Sequence, residues 1–415
     1  MIHLPDLKCG LLGEHLSHSY SPVIHSELAD YSYELFEMPP EAVGDFLMSD
    51  RFDAINVTIP YKKTVMPYLA EISDNARRIG SVNTITRTAQ GLRGDNTDYY
   101  GFSHMLDLSG ANVGGKKVLI LGSGGAQETA RTVCTDRGAE VVVISRRGEN
   151  NYENLDRHAD ASLIINTTPV GMFPNNGVSP LDLSIFPNLL GVLDMIYNPS
   201  KTKLLLDAER LGIPHISGLP MLVAQAKLAA EIFTGIKIDD GEISRITGKI
   251  AHTTENIILI GMAGCGKSTV GAELARLTGR ELIDTDRMVT EQTGRTPADI
   301  IEKDGEAAFR AIESECVAMA GKQSGKIIAT GGGVPTIECN RDALRQNGTI
   351  IFLRREIDQL DTTGRPLSQR TSPALLYEKR LPIYKVLADF TVDNEGAPCA
   401  VAQKIIQLTN PDLSL

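Results

Sequence analysis

Short runs of apolar residues, each bounded by glycine, proline or polar side chains, recur along the chain and alternate with stretches of helical periodicity. Runs that read as strands are Lys8–Gly13, Asp53–Pro60, Lys116–Leu121, Glu140–Ile144, Leu163–Ile165, Val192–Leu193, Asn256–Ile260, Glu281–Asp286, Lys326–Ala329 and Thr349–Leu353. The run at Glu281 ends in two acids one residue apart, Asp284 and Asp286, which period 2 puts on one side if the strand continues. Helices are expected from Val23, around Thr129 and Ala130, from Gly218 to about Phe233, over Val270–Leu277, around Ala308–Glu313 and over Tyr377–Tyr384. This alternation predicts an α/β protein built on parallel, doubly wound sheets. At 415 residues the chain exceeds one ordinary core, so two or three domains are expected.

Composition narrows the class. With 42% hydrophobic and 22% charged residues the chain is globular in type, and a net charge of −11 argues against nucleic acid as a partner. Six cysteines lie scattered without C-x-x-C spacing, which suits reduced thiols and provides no zinc site. No signal-like N-terminus and no run of membrane-spanning length appear, so a cytoplasmic protein is expected, with the oligomeric state left open.

The most specific chemistry lies at Gly261-Met-Ala-Gly264-Cys265-Gly266-Lys267-Ser268-Thr269, which fits G-x-x-x-x-G-K-[ST] between a strand and a helix. Backbone N–H groups freed by the glycines cradle phosphate, Lys267 reaches the terminal phosphates, and the Ser268 hydroxyl serves Mg²⁺. An ATP site follows.

In the N-terminal half, polar residues gather where strands end: Ser19 and Ser21, Asn56 to Lys62, Asn83, and Asp95 to Asp98. Such a cluster suits a small polar ligand. Further on, Gly122-Ser123-Gly124-Gly125-Ala126 follows a buried strand, and the next strand ends in Ser145-Arg146-Arg147. An NAD site would place an acidic residue there; two arginines suit the 2′-phosphate of NADP. Between Thr234 and Glu255 the chain reads as a polar linker with at most one helical turn.

The N-terminal motifs His-Ser19-Tyr-Ser21-Pro, Asn56-Val-Thr58-Ile-Pro-Tyr-Lys62, Val-Asn83-Thr, Gly-Asp-Asn-Thr-Asp98, Gly-Ser-Gly-Gly-Ala and Met221-Leu-Val-Ala-Gln225 together resemble shikimate dehydrogenase, from residue 1 to about 245. The resemblance implies that Ser19, Ser21, Thr58, Lys62, Asn83, Asp98, Tyr197 and Gln225 surround the substrate. It implies too that Gly122 to Ala126, Ser145 to Arg147, Met195 and Gly218 face NADPH. Lys62 and Asp98 would then form the proton-transfer couple. Departures from the usual pattern are Tyr20 between the serines and Ser145-Arg-Arg in place of Asn-Arg-Thr.

From about Asn256 onward, the phosphate loop, Asp284-Thr-Asp286, Phe-Arg310-x-x-Glu, Gly331-Gly332-Gly333, Arg365-Pro-Leu and Arg380-x-x-x-Tyr resemble shikimate kinase. By that resemblance Asp286, Arg310, the three glycines and Arg380 hold shikimate, with the two arginines on its carboxylate. Arg365 would close over the transferring phosphate, Asp284 and Ser268 would hold Mg²⁺, and Asp286 could accept the hydroxyl proton. The strand ending near Val392-Asp393 lacks the arginine that family members often lay against adenine.

The expectation is therefore a bifunctional enzyme of aromatic amino-acid biosynthesis. Its parts would be a substrate domain (1–105, with 219–235 packing back on it), an NADP-binding Rossmann domain (106–235), a linker (236–254) and a P-loop kinase (255–415). It would reduce 3-dehydroshikimate with NADPH and phosphorylate shikimate with ATP and Mg²⁺. The rivals are an NAD-dependent quinate-type dehydrogenase fused to another small-molecule kinase, and a non-catalytic ligand sensor.

Overall fold

The computed structural model describes residues 2–16, 19–360 and 372–409. Packing divides the chain into two units, one of Met1–Val170, Ser179–Tyr197 and Asp207–Lys249, the other of Gly171–Val178, Asn198–Leu206 and Ile250–Leu415.

Unit 1 contains two sheets. The first combines β1 (Ile2–Gly13), β2 (Ala29–Glu37), β3 (Ala54–Val57), β4 (Glu71–Ile72), β5 (Thr84–Thr88) and β6 (Gly91–Asp95) in the order β2-β1-β3-β5-β6-β4. Helices α1 (Ser21–Leu28), α2 (Val43–Met48) and α3 (Asp74–Ile79) interleave with them. The sheet is mixed, since β5 runs antiparallel to both β3 and β6. The turn between β5 and β6 closes through Gly91, whose φ of 116° a side chain would resist. Every residue of β3 is buried, Asn56 included, and Leu12, Phe46, Phe52, Ile55 and Ile85 form the core around it.

Helix α4 (Asp98–Leu108) leads to the second sheet, made of β7 (Lys117–Leu121), β8 (Glu140–Ile144), β9 (Leu163–Asn166), β10 (Gly191–Asp194) and β11 (His215–Ile216). Its order is β11-β10-β9-β7-β8 and all pairs are parallel. Helices α5 (Gly125–Asp136), α6 (Lys203–Arg210) and α7 (Leu219–Thr234) follow strands β7, β10 and β11. Helix α7 packs on α4 and α1. Gly101 makes that approach possible, because a Cβ there would lie 2.6 Å from the Met221 carbonyl oxygen.

Where the sequence suggested a linker, the structure has a 14-residue helix, α8 (Gly241–Thr254). Ile243, Ile246 and Ile250 are all buried and fall on one stripe, so packing overrides the polar and glycine-containing composition.

Unit 2 has one parallel sheet of β12 (Asn256–Ile260), β13 (Leu282–Asp284), β14 (Ile327–Ala329), β15 (Gly348–Arg354) and β16 (Phe390–Asp393), in the order β13-β14-β12-β15-β16. Helices α9 (Lys267–Thr278), α10 (Thr285–Thr293), α11 (Pro297–Lys303), α12 (Glu306–Gly321), α13 (Glu338–Arg345), α14 (Pro373–Leu387) and α15 (Pro398–Thr409) complete it. The wholly buried β12 is central, so the glycine loop that follows it emerges from the middle of the sheet edge where ligands bind in such folds. Inside this unit the Ser200 N–H donates to Asn347 Oδ1 (2.9 Å), and Asn176 Nδ2 donates to Gln346 Oε1 (2.8 Å).

Candidate active sites

In unit 1 a cavity of about 480 Å³ opens beside the ends of β1 and β3. Its walls include all eight residues expected around the first substrate: Ser19, Ser21, Thr58, Lys62, Asn83, Asp98, Tyr197 and Gln225. Lys62 Nζ donates to Asp98 Oδ2 at 2.5 Å, and Asn83 Nδ2 donates to the other carboxylate oxygen at 2.9 Å. Asp98 stands in the first turn of α4, where the helix dipole favours negative charge. Asn83 is itself fixed, its Oδ1 accepting from the Thr97 N–H (2.7 Å) and its Nδ2 reaching Gln225 Oε1 (3.4 Å).

Behind this layer stands a second one. Asn56, which faces the cavity, donates to Thr84 Oγ1 (3.3 Å) and accepts from the Tyr33 hydroxyl (2.8 Å). Strand pairing sets Asn56 opposite Thr84. His25 stacks on Tyr33 at 4.1 Å, and complete burial pulls its pKa down to about 3, so the ring is neutral at pH 7.

The same cavity is lined by Ala126, Met195 and Gly218, three of the positions expected to face the dinucleotide. Gly122 begins the turn after β7 with a φ of 115°, and a Cβ there would press on Thr167 Oγ1 at 2.7 Å. Gly124 and Gly125 are exposed, and a Cβ on either would meet nothing within 4 Å, so the start of α5 is open to a phosphate. Strand β8 lies beside β7, with the Gly122 N–H on the Ile144 carbonyl (2.9 Å), which brings Ser145 next to the glycine turn. Arg146 and Arg147 follow, both exposed and without an ion pair among the described residues. These residues fit a phosphorylated dinucleotide.

In unit 2, Lys267 is buried at the start of α9 and donates to the carbonyls of Gly261 (3.0 Å) and Met262 (2.8 Å) across the glycine loop. Ser268 Oγ donates to Asp284 Oδ2 at 2.6 Å. The sequence suggested one strand carrying Asp284 and Asp286 on the same side. Instead β13 stops at Asp284, which caps α10 by accepting from the Asp286 N–H (3.0 Å), and Asp286 stands in the first helical turn. The side-chain cap outweighs strand continuation here. Asp286 nonetheless reaches the expected place.

That place is the triple glycine after β14. A Cβ on Gly331 would meet Glu313 Oε1 at 2.5 Å and Asp286 Oδ1 at 2.9 Å; on Gly332 it would meet the Ala263 N–H at 2.8 Å and Arg380 at 3.4 Å. On Gly333 it would run into the Arg310 guanidinium. The glycines thus bring the two arginines, the acid and the phosphate loop together around bare backbone. Arg310 donates to the buried Glu313 at 2.6 Å. Burial raises the Glu313 carboxyl and Arg310 offsets part of that rise. Tyr384 donates to the Gly332 carbonyl (2.6 Å) and fixes the strip from below. Ser268 and Asp284 provide a hydroxyl and one carboxylate, a set that fits Mg²⁺ completed by phosphate and water. Arg365 and the Gly364–Leu367 segment lie outside the described residues.

Residues 11–85 match the family model described as the shikimate dehydrogenase substrate binding domain, and residues 263–410 match that described as shikimate kinase. The NADP(+) shikimate dehydrogenase of Clostridium beijerinckii is 36% identical over 251 residues, which take in 56% of this chain and 93% of that protein.

The chain belongs to the shikimate dehydrogenase family.

Among solved structures, the Thermus thermophilus shikimate 5-dehydrogenase in complex with NADP(H) and shikimate superposes with a TM-score of 0.54 at 30% identity, covering 60% of this chain and 99% of that one. A quinate dehydrogenase from Corynebacterium glutamicum in complex with NAD gives a TM-score of 0.54 at 25% identity, covering 60% and 99%. The dehydrogenase match ends within the chain, and the shikimate kinase domain occupies most of what remains.

The cavity of the dehydrogenase half also contains polar residues that the motifs contain but did not single out, above all Asn56, backed by Thr84 and Thr97. An asparagine inside a fully apolar strand was the available signal, because a buried amide needs partners. Glu313 in the kinase domain carries a similar signal, three residues after Arg310 on one helix face. Among the described residues no helix is long and apolar enough to cross a membrane, and no group of three or more His, Cys, Asp or Glu forms a metal cluster.

Proposed function

We propose that the chain is an enzyme of two activities, reducing 3-dehydroshikimate with NADPH and phosphorylating the 3-hydroxyl of shikimate with ATP and Mg²⁺. The observation that carries the reading is the Lys62–Asp98 pair, 2.5 Å apart, in a cavity that continues to Ala126 beside the glycine turn.

In the dehydrogenase half, NADPH when bound supplies the hydride to the ring ketone. The oxygen that gains negative charge needs a proton, and Lys62 delivers it. Asp98 orients Lys62, Asn83 holds Asp98, and Thr97 and Gln225 hold Asn83. Ser19, Ser21, Thr58 and Tyr197 surround the rest of the substrate. Ser145, Arg146 and Arg147 take the 2′-phosphate, which favours NADPH over NADH. In the kinase half, Arg310 and Arg380 take the shikimate carboxylate, for which the guanidinium fork is matched. Asp286 accepts the hydroxyl proton at the triple glycine. Lys267 and Gly264 to Thr269 hold the nucleotide phosphates, and Ser268 and Asp284 hold Mg²⁺, partly through water. Arg365 is assigned to the transferring phosphate by resemblance alone. Catalysis there rests on positioning and charge neutralisation.

Two assays test this on the purified chain. NADPH should be consumed with 3-dehydroshikimate, and ADP should form from ATP with shikimate. Faster turnover with quinate and NAD, or no ADP formed from ATP with either acid, would replace this reading with one of its rivals.

A further inference from the structure

Strand β15 runs into two consecutive arginines in opposite circumstances. Arg354 is exposed and paired with Asp393 at 2.5 Å. Arg355 is half-buried; its Nε is shut off from solvent without a hydrogen-bond partner, and no ion pair is formed by it among the described residues. A buried guanidinium nitrogen left unsatisfied is costly, so the position is explained best by a ligand that completes it.

Its surroundings identify the ligand's charge. Strand β15 pairs with β12 in a register that sets Phe352 opposite Ile260, so the residues after Leu353 come level with the glycine loop. A Cβ on Gly261 would touch the Leu353 carbonyl oxygen at 2.5 Å, and one on Gly266 would stand 3.9 Å from Arg355 Nη1. Gly266 is the N-cap of α9, with a φ of 94°. Asn394, at the end of β16, approaches the same glycine and donates to the Cys265 carbonyl at 2.6 Å. Around Gly266 therefore lie a helix N-terminus, an amide already committed to the backbone, and a guanidinium with an unused donor. That is a site for an anion.

We propose that Arg355 is a nucleotide-binding residue of the kinase domain, its guanidinium donating to a phosphate oxygen of the nucleoside triphosphate held on the glycine loop. This rests on the kinase reading above and adds to it a cation supplied from the neighbouring strand.

The test is titration of the full chain with MgADP by calorimetry, for wild type, Arg355→Met and Arg355→Gln, together with KM for ATP and for shikimate. Loss of a charge-assisted hydrogen bond should weaken ADP binding and raise KM for ATP by about tenfold or more. KM for shikimate and the rate of NADPH oxidation should stay within about twofold. Retained shikimate turnover shows that the kinase domain of each variant is folded, and the two neutral side chains guard against misfolding of either one. ADP affinity within about twofold of wild type in both variants would overturn the assignment. Failure of wild type itself to bind ADP would overturn the kinase reading and this assignment with it.

Discussion

Lys62→Met removes the ammonium group while keeping most of the side-chain stem. Nζ stands 2.5 Å from Asp98 Oδ2, with the two side chains 27% and 15% exposed, so the pair is partly shielded from water. Two consequences can be separated. Without the ammonium, the developing alkoxide must take its proton from solvent, and positioned proton transfer contributes roughly 10²- to 10⁴-fold to rate. That corresponds to about 3–5 kcal/mol of activation free energy at 1.36 kcal/mol per decade. Asp98 meanwhile keeps its bond from Asn83 at 2.9 Å, so the cavity retains its shape and substrate affinity should fall much less than turnover. The assay is NADPH absorbance at saturating 3-dehydroshikimate, with ADP release from ATP in the presence of shikimate, in the same preparation, as the internal control. The expected result is a fall in kcat of at least about a hundredfold with ADP release unchanged. A fall below about tenfold would refute proton delivery by Lys62, and equal loss of both activities would indicate general damage.

Gly333→Ala should raise KM for shikimate in the kinase reaction by about tenfold or more while sparing NADPH oxidation, because the new methyl would displace the Arg310 guanidinium; unchanged kinetics would mean that Arg310 does not hold the acid. Arg146→Ala combined with Arg147→Ala should raise KM for NADPH by about tenfold or more and leave NADH almost unaffected, as steady-state comparison of the two cofactors would reveal. His25 carries a pH prediction. Its folded pKa of about 3 lies below the ordinary 6.5, so the unfolded chain takes the proton first and stability is lost as pH falls from 6.5 towards 3. Between pH 7 and 5 this amounts to about 2 kcal/mol, and urea unfolding of His25→Gln should have a correspondingly flatter pH dependence than wild type; identical slopes would contradict the assignment.

The sequence made the candidate sites of both halves legible because turn chemistry and charged residues there are local. Gly122 and Gly266 need positive φ, Lys267 follows its glycine directly, and the arginines after β8 lie close in sequence to Ile144, which accepts from the Gly122 N–H. Less legible was whatever depends on partners distant in the chain. The α8 stripe is visible only once Ile243, Ile246 and Ile250 have a surface to cover, and its polar composition suggested a linker. Asp284 and Asp286 looked like strand neighbours, yet a side-chain cap turns the backbone into α10 between them. Asn56 and Thr84 become a pair only through antiparallel register, and Arg355 acquires meaning only from its distance to Gly266.

Calorimetric titration of the intact chain with shikimate, in the presence of MgADP and without dinucleotide, tests the central claim most directly. Two binding sites per chain are expected, one of them weakened by about tenfold or more in Gly333→Ala and the other unchanged. A single site in the wild type would contradict the account.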